Sequence, residues 1–362
     1  MVKVYGLKVS YFTGKLEGYL RYKEIPHEFV SMTVKQFTKT IPAKTGAMQM
    51  PAVELVDGRW MTDTSPMIDW FELQHPKHPI LPADPVQAFL CRLIEDYADE
   101  WLWRPAMHYR WSYPVSSKLL ARQIVDEMTR DVPAPAWLKR RRTEKRQHLN
   151  FVVRDGVTKD TWANVEQGYT TLLSILNKVF EVRPFLFGDR PTLADIGLFG
   201  PLFRHFSMDP KPAVIMRETA PGVMAWVYRL WNARASKLDG EFVSGVPMDL
   251  MSLFREIAET HLEALNANAL AYARGDKLYN VDIQGAPYQN LQTSQYRVWC
   301  LEQLQQRFNE VPDAKKDELS NVLEASGCLE PLMRITDLDS GYNLNGEAPF
   351  GETSLPVFED IK

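Results

Sequence analysis

The chain has 362 residues, of which 45% are hydrophobic and 24% charged, enough for at least one sizeable core and for two or three domains. Its 42 Lys and Arg residues against 46 Asp and Glu residues give a formal net charge of −4. That balance offers no bulk attraction to nucleic acid or anionic lipid, so we predict neither as a partner. The sequence shows neither an apolar run long enough to span a membrane nor a signal-peptide pattern, so we expect the protein to be located in the cytoplasm.

The first 76 residues predict a small domain that mixes strands and helices. The patterns come in the order strand at 2–9, helix at 16–25, strand at 27–32, a further helix, a hairpin and a last helix. Asp57 and Gly58 lie between two apolar runs, which is a strong hairpin signal. Ser65 followed by Pro66 is typical of a helix N-cap and a first helical residue. This order of elements is that of the thioredoxin-like fold.

After a proline-rich connector at 75–85, the sequence predicts helices and no strands. The helical patterns lie at 86–112, 116–130, 158–180, 192–206, 221–235, 249–272 and 292–309. The basic run at 139–146 predicts a short, solvated helix. The tail at 336–362 is rich in turn-forming residues, and we expect it to be irregular.

Four motifs make the chain resemble the glutathione S-transferase superfamily over roughly residues 1–240. EIPHE looks like the end of that family's first helix, and QMPAVEL looks like its third strand, with Pro51 in the place of the cis-proline. DTSPMIDWFE is similar to its ES-x-x-I element. FLFGDRPTLADIGLFGPL resembles the capping box of its sixth helix, with Thr192 as the cap and Asp195 three residues later.

The resemblance implies a thioredoxin-like glutathione-binding domain at 1–76 and an all-helical domain at 86–240. Within the second domain, 115–157 has the character of an insertion. Residues 245–362 form a further helical extension with an irregular tail, as in a long, atypical, bacterial-type subgroup. Members of the superfamily are commonly dimeric, so we predict a homodimer.

The resemblance also implies how the N-terminal domain holds glutathione. The extended tripeptide pairs with the backbone of Met50, the residue before Pro51, in the manner of an added strand. The γ-glutamyl carboxylate is received by the helix that follows Thr64 and Ser65. A cation for the glycyl carboxylate could come from Lys35, Lys39 or Lys44, which the sequence does not rank.

Ser10 and Tyr11 compete for the role of thiol activator. The thiolate is the reactive form of glutathione, and a hydroxyl at a helix N-terminus stabilises it. Ser10 falls where the family's serine-type members carry their catalyst, counting back from EIPHE. Tyr11 resembles the tyrosine of other members. The alternative is that both are ordinary turn residues.

The stretch WLWRPAMHYRW is the candidate wall for the second substrate. Trp103, Met107, His108 and Trp111 are spaced to place several side chains along one side of a helix. Such a wall suits an apolar electrophile, and Arg104, His108 or Arg110 could polarise its leaving group. The alternative is that this helix simply buries its aromatic residues in the core.

The sequence therefore predicts a glutathione-dependent transferase that acts on an apolar electrophile by conjugation, ether cleavage, dehalogenation or isomerisation. The alternative is a non-catalytic scaffold of the same fold whose extension binds a protein partner. His75 and His78 have a metal-like spacing but lie in a proline-rich connector without acidic or cysteine partners, so we predict no metal site.

Overall fold

The computed structural model describes residues 1–342 and 348–351. The N-terminal part is a four-stranded sheet of order β2-β1-β3-β4, in which β2 runs parallel to β1 and the other pairs are antiparallel. The strands are β1 (Val2–Gly6), β2 (His27–Ser31), β3 (Ala52–Glu54) and β4 (Trp60–Thr62). The helices are α1 (Tyr11–Tyr22), α2 (Ile41–Thr45) and α3 (Thr64–Gln74). This confirms the predicted thioredoxin-like fold.

The start of α3 differs from the prediction. The N-cap is Asp63, whose carboxylate accepts the backbone N–H of Ser65, so Ser65 is already the second helical residue. Asp63 has a φ of 70°, a conformation in which Asn and Asp are enriched among residues with side chains. The predicted hairpin around Asp57 and Gly58 is present as β3 and β4.

The all-helical domain predicted after the connector is also present. Its helices are α4 (Pro85–Glu100), α5 (Trp103–Trp111), α6 (Pro114–Met128), α7 (Ala136–His148), α8 (Trp162–Val182), α9 (Leu193–Pro201), α10 (Pro210–Thr219) and α11 (Pro221–Asn232). The helix predicted at 86–112 is divided, because Pro105 has no N–H to donate to the carbonyl of Trp101. The N–H of Arg104 bonds that carbonyl instead, and a new helix begins at Trp103.

The extension contains helices and one unpredicted hairpin. Its helices are α12 (Met251–Ile257), α13 (Glu263–Ala273), α14 (Gln295–Glu310), α15 (Asp313–Ser326) and α16 (Leu329–Met333). The hairpin pairs β5 (Leu278–Ile283) with β6 (Ala286–Gln292), so the predicted absence of strands after residue 85 is wrong. Gln284 and Gly285 both have positive φ, as a two-residue hairpin turn requires.

The extension is packed through α14 against helices α3 and α4 of the two preceding domains. Arg297 at the start of α14 bonds Glu100 at 3.2 Å, and Arg307 near its end bonds Asp69 at 3.3 Å. The ring of Phe308 meets that of Phe89 on α4 at 6.0 Å. One large hydrophobic cluster runs through all three parts of the chain. Within residues 1–342 and 348–351, no helix is both long and apolar enough to cross a membrane. Much of the tail predicted to be irregular, 343–347 and 352–362, lies outside the described residues.

Candidate functional site

A cavity of about 320 Å³ lies between the N-terminal domain and the helical domain. Its walls combine the turn before α1, the segment around Met50, the start of α3, helices α4 and α5, and the start of α14. Of the ten residues predicted for the site, eight line this cavity: Ser10, Tyr11, Met50, Pro51, Thr64, Trp103, Met107 and Trp111. Ser65 and His108 are not in its lining. The structure therefore brings most of the predicted residues together around one cavity, whereas the side chains of Ser65 and His108 point elsewhere.

Ser10 is the N-cap of α1 and lines the cavity. Its hydroxyl oxygen accepts the backbone N–H of Thr13 at 3.4 Å, a long bond that leaves the hydroxyl proton unused among the described residues. The preceding turn is held by Arg110, which donates to the carbonyl of Val9 at 2.7 Å and pairs with Asp209 at 2.8 Å. Ser10 thus presents a free O–H donor at the positive end of a helix.

Tyr11 also lines the cavity, but its hydroxyl is engaged. The side chain is 1% exposed, and its O–H donates to the carbonyl of Ala98 in the last turn of α4. That carbonyl is one of the last four of α4, which have no hydrogen-bond partner within the helix. Burial raises the pKa of Tyr11 well above its ordinary value. Tyr11 therefore joins α1 to α4 and offers the cavity its ring.

Met50 and Pro51 line the same cavity as Ser10, and the peptide bond between them is cis, as predicted from the resemblance. Among the described residues, neither the backbone N–H nor the carbonyl of Met50 takes part in a hydrogen bond. Gln49 is fixed beside it, since its side-chain oxygen accepts the hydroxyl of Thr62 at 3.2 Å. A free peptide N–H and C=O facing a cavity suit the backbone of a bound peptide.

Carboxylates gather at the end of the cavity beside α3. Asp63, Asp99 and Glu100 all line it. One carboxylate oxygen of Asp63 (Oδ2) and one of Asp99 (Oδ1) are buried without a hydrogen bond among the described residues. Burial raises the pKa of Asp63 to about 7 and also raises the pKa of Asp99. These two unpaired oxygens provide acceptors for a ligand that carries an ammonium group.

Ser65 faces the protein interior. Its hydroxyl donates to Glu95 at 2.8 Å and accepts from the Lys15 ammonium at 3.2 Å. Lys15 is fully buried and also contacts Asp99 at 2.5 Å. Its carboxylate partners outweigh the effect of burial, so the pKa of Lys15 is raised. The Ser65 side chain consequently joins α1, α3 and α4, and only the helix N-terminus at Thr64 remains on the cavity side.

His108 and Arg104 lie on the sides of α5 that face away from the cavity. His108 contacts Glu166 at 3.0 Å and Ser112 at 3.0 Å, and Arg104 bonds Asp155 at 3.1 Å. Trp103, Met107 and Trp111 form the cavity side of α5. Because a helix turns by about 100° per residue, His108 cannot share a face with both of its tryptophan neighbours.

Lys35, Lys39 and Lys44, the three lysines considered for the glycyl carboxylate, are likewise absent from the cavity lining.

The sequence reasoning missed several residues of the lining, among them Phe151, His205, Tyr296 and Arg297. The first two come from segments that follow α7 and α9, and the last two from the extension. No local motif marks any of them, because each reaches the cavity only through long-range packing. The helical pattern at 292–309 predicted α14, but nothing in that pattern indicated that the start of the helix would reach the cavity.

Comparison with known families agrees with this geometry. Residues 4–79 match the family model of the glutathione S-transferase N-terminal domain, and residues 147–233 match that of the glutathione S-transferase C-terminal domain. The chain belongs to the glutathione S-transferase superfamily. Both the Ser10 turn and Met50 fall within the matched N-terminal region of the superfamily, whereas α14 lies beyond both matches. The polar end of the cavity therefore includes residues that the two family models do not cover.

Several solved structures resemble the chain at low sequence identity. The β-etherase LigF from Sphingobium sp. strain SYK-6 is 19% identical, with coverage of 65% of this chain and 97% of that one and a TM-score of 0.46. A glutathione S-transferase from Rhodospirillum rubrum F11 is 20% identical, with coverage of 65% and 90% and a TM-score of 0.42. FzlA from C. crescentus is 13% identical, with coverage of 63% and 87% and a TM-score of 0.42. No curated protein matches the sequence.

Proposed function

We propose that the protein is a glutathione-dependent transferase in which the Ser10 hydroxyl stabilises the thiolate of glutathione after the thiol proton has passed to solvent. The thiolate sulfur then forms a bond to a carbon atom of an apolar electrophile, whose leaving group departs with the electrons of the broken bond. Conjugation is the simplest such reaction, and ether cleavage, dehalogenation and isomerisation would use the same site. The observation that carries the proposal is the placement of an unused hydroxyl proton at the N-terminus of α1, in one cavity with the unpaired backbone of Met50.

The requirement for activation can be stated as a free energy. A free thiol has a pKa of about 8.5, so only a few per cent of it is ionised at pH 7. Lowering that pKa by about two units corresponds to roughly 2.7 kcal/mol of preferential stabilisation of the thiolate. A hydrogen bond to a charged acceptor contributes about 1.5–3 kcal/mol, and a helix N-terminus adds a further favourable term. The Ser10 hydroxyl and the N-terminus of α1 together can therefore supply a stabilisation of the thiolate of about this size.

Ser10 suits this role better than Tyr11. The Ser10 hydroxyl has no acceptor among the described residues, whereas the Tyr11 hydroxyl already donates to Ala98. If Tyr11 turned towards a bound thiol, the Ala98 carbonyl would lose its partner inside the protein, which is costly for a buried polar group. We therefore assign the thiol contact to Ser10 and a supporting role to Tyr11.

The γ-glutamyl end of glutathione would lie at the start of α3. Its carboxylate suits the helix N-terminus at Thr64. Its ammonium suits the unpaired carboxylate oxygens of Asp63 and Asp99. Thr64 cannot supply a charge for the ammonium. Burial raises the pKa of Asp63 and of Asp99, and a bound ammonium would oppose this by favouring their ionised forms, so these two acids would supply the negative charge on binding.

Calorimetric titration with reduced glutathione tests the proposal. We expect saturable binding to the wild-type protein and an affinity about 10-fold lower for Asp63→Asn, which retains the capping oxygen but loses the charge. Asp57→Asn is the matched control, since Asp57 lies in the β3–β4 turn outside the cavity lining. Absence of binding by the wild-type protein up to millimolar glutathione would contradict the proposal and favour the scaffold alternative.

We further propose that the protein acts as a homodimer in the cytoplasm, as expected from the superfamily. Light scattering of the purified protein tests the oligomeric state, with a dimer expected near twice the chain mass of 41.7 kDa. A monomer across the accessible concentration range would contradict this part of the proposal.

A further inference from the structure

His205 is a buried imidazole on the cavity wall. It belongs to the π-helical turn Leu202–Phe206 that follows α9, and it is 1% exposed. Its ring packs edge-on against that of Tyr11, with the centroids 5.3 Å apart. It shares the cavity with the aromatic side chains of Trp103 and Phe151. A polar ring therefore lies on a wall of the cavity that also carries aromatic side chains.

One side of the imidazole is occupied by acceptors. Nδ1 lies 3.5 Å from the carbonyl of Ala106 and 3.8 Å from a carboxylate oxygen of Asp209. Two acceptors on this side favour the tautomer in which Nδ1 carries the proton. The other ring nitrogen, Nε2, then bears a lone pair, and it has no hydrogen-bond partner among the described residues.

The imidazole is also kept neutral. Burial disfavours its charged form, and the neighbouring Arg110 guanidinium adds repulsion, so the pKa of His205 is lowered well below its ordinary value. Arg110 is itself fixed by Asp209 at 2.8 Å and by the carbonyl of Arg204 at 2.8 Å. At neutral pH, the Nε2 atom of His205 is therefore a buried acceptor without a donor.

We infer that His205 accepts a hydrogen bond from a hydroxyl group of the second substrate, which makes a hydroxyl-bearing aromatic compound the substrate class of this site. An unpartnered buried acceptor is costly, and a ligand donor would remove that cost. The indole N–H groups of Trp103 and Trp111 are also buried without partners among the described residues. Both are donors, so they could bind an acceptor oxygen on the same ligand, and neither of them donates to Nε2 in this structure.

Aromatic character of the ligand follows from the surrounding rings. Phe12 stacks on Trp103 with centroids 5.9 Å apart, and Phe151 meets Trp103 edge-on at 5.4 Å. An aromatic molecule would extend this arrangement of rings, and Met107 adds a polarisable contact on the same wall. That the bound compound is a substrate rests on the proposed function. The preference of the cavity for a hydroxyl-bearing ligand does not depend on glutathione.

A matched ligand pair tests the inference. We would measure the affinities of 4-chlorophenol and 4-chloroanisole by calorimetry, with and without glutathione, because these compounds differ mainly in the presence of the hydroxyl proton. The wild-type protein should bind the phenol about 10-fold more tightly. Equal affinities in the wild-type protein would overturn the inference, whatever the variants do.

Two substitutions at His205 then locate the preference. His205→Phe removes the acceptor and should reduce the preference to within about twofold, whereas His205→Gln retains an acceptor oxygen and should restore part of it. Thermal unfolding checks that both variants are folded. A preference unchanged in His205→Phe would place the hydroxyl elsewhere and overturn the inference. Phenol selectivity in a protein that fails to bind glutathione would instead support the inference while contradicting the proposed function.

Discussion

A crossed pair of substitutions separates thiol activation from structural support in the turn before α1. Ser10→Ala removes the unused hydroxyl proton that faces the cavity, and Tyr11→Phe removes the proton that Ala98 accepts. A hydrogen bond to a charged sulfur contributes about 1.5–3 kcal/mol, which at 1.36 kcal/mol per unit corresponds to about 1–2 pKa units. We therefore expect Ser10→Ala to raise the pKa of bound glutathione by that amount, and Tyr11→Phe to leave it unchanged.

The effects on stability should follow the opposite order. The Ser10 hydroxyl caps α1 through a long contact of 3.4 Å, so its loss should cost about 0.5–1 kcal/mol, at the low end for an N-cap. Tyr11→Phe leaves a buried carbonyl of α4 without its donor, for which we expect about 1–3 kcal/mol. Urea unfolding of both variants against the wild-type protein gives these free energies.

The assay for activation combines two measurements. The ultraviolet absorbance of the thiolate, titrated in the complex, gives the pKa directly, and kcat/KM with an activated aryl chloride gives its kinetic counterpart. Below the thiol pKa, Ser10→Ala should lower kcat/KM about 10–100-fold, and the difference should shrink as the pH rises and both proteins become ionised. A thiol pKa that rises in Tyr11→Phe and stays constant in Ser10→Ala would refute the assignment.

Three further substitutions test the charges around the site by urea unfolding. Burial raises the pKa of Asp63 to about 7 from a model-compound value of 3.8, so the folded protein holds this proton more tightly than the unfolded chain does. As the pH rises between these two values, the stability of the wild-type protein relative to Asp63→Asn should therefore fall by about 1.4 kcal/mol per pH unit. Arg297→Met leaves Glu100 and Asp155 without their shared cation and should lower the free energy of unfolding by about 3–5 kcal/mol. Burial raises the pKa of Glu100, so this cost should diminish as the pH falls and the Glu100 carboxylate becomes protonated. Asp195 accepts four hydrogen bonds, two from its capping-box partner Thr192, one from the backbone N–H of Leu186 and one from the indole of Trp226. Asp195→Ala should therefore cost about 3–5 kcal/mol, with Asp57→Ala as an exposed control.

Local sequence patterns predicted the parts of this protein whose structure is decided locally. The Asp57–Gly58 hairpin and the capping box of Thr192 and Asp195 both depend on residues a few positions apart, and both are present. The first helix was predicted only from residue 16, whereas α1 begins at Tyr11 with Ser10 as its N-cap. Because the hairpin and the capping box need no information about distant parts of the chain, a single sequence is sufficient to place them.

The errors arose where tertiary contacts decide the outcome. Ser65 and Asp63 are both acceptable N-caps, and Asp63 takes the position while the Ser65 hydroxyl bonds Glu95 of α4. The chemistry of His108 suited the cavity, but its position on α5 directs its side chain away from the cavity and towards Glu166. The hairpin of β5 and β6 was missed because its apolar residues, such as Tyr279 and Ile283, alternate only loosely and its turn is Gln-Gly rather than Asn-Gly.

The extension has a direct part in the electrostatics of the cavity. Asp63, Asp99 and Glu100 would place three carboxylates at one end of a largely apolar space, and burial alone would drive all three towards protonation. Lys15 opposes this for Asp99 from within the matched N-terminal domain, and Arg297 opposes it for Glu100 from α14. The cation supplied by α14 therefore helps to set the charge of this end of the cavity, where we have proposed that the ammonium of glutathione binds. The extension therefore belongs to the site itself, and its removal should alter ligand binding as well as stability.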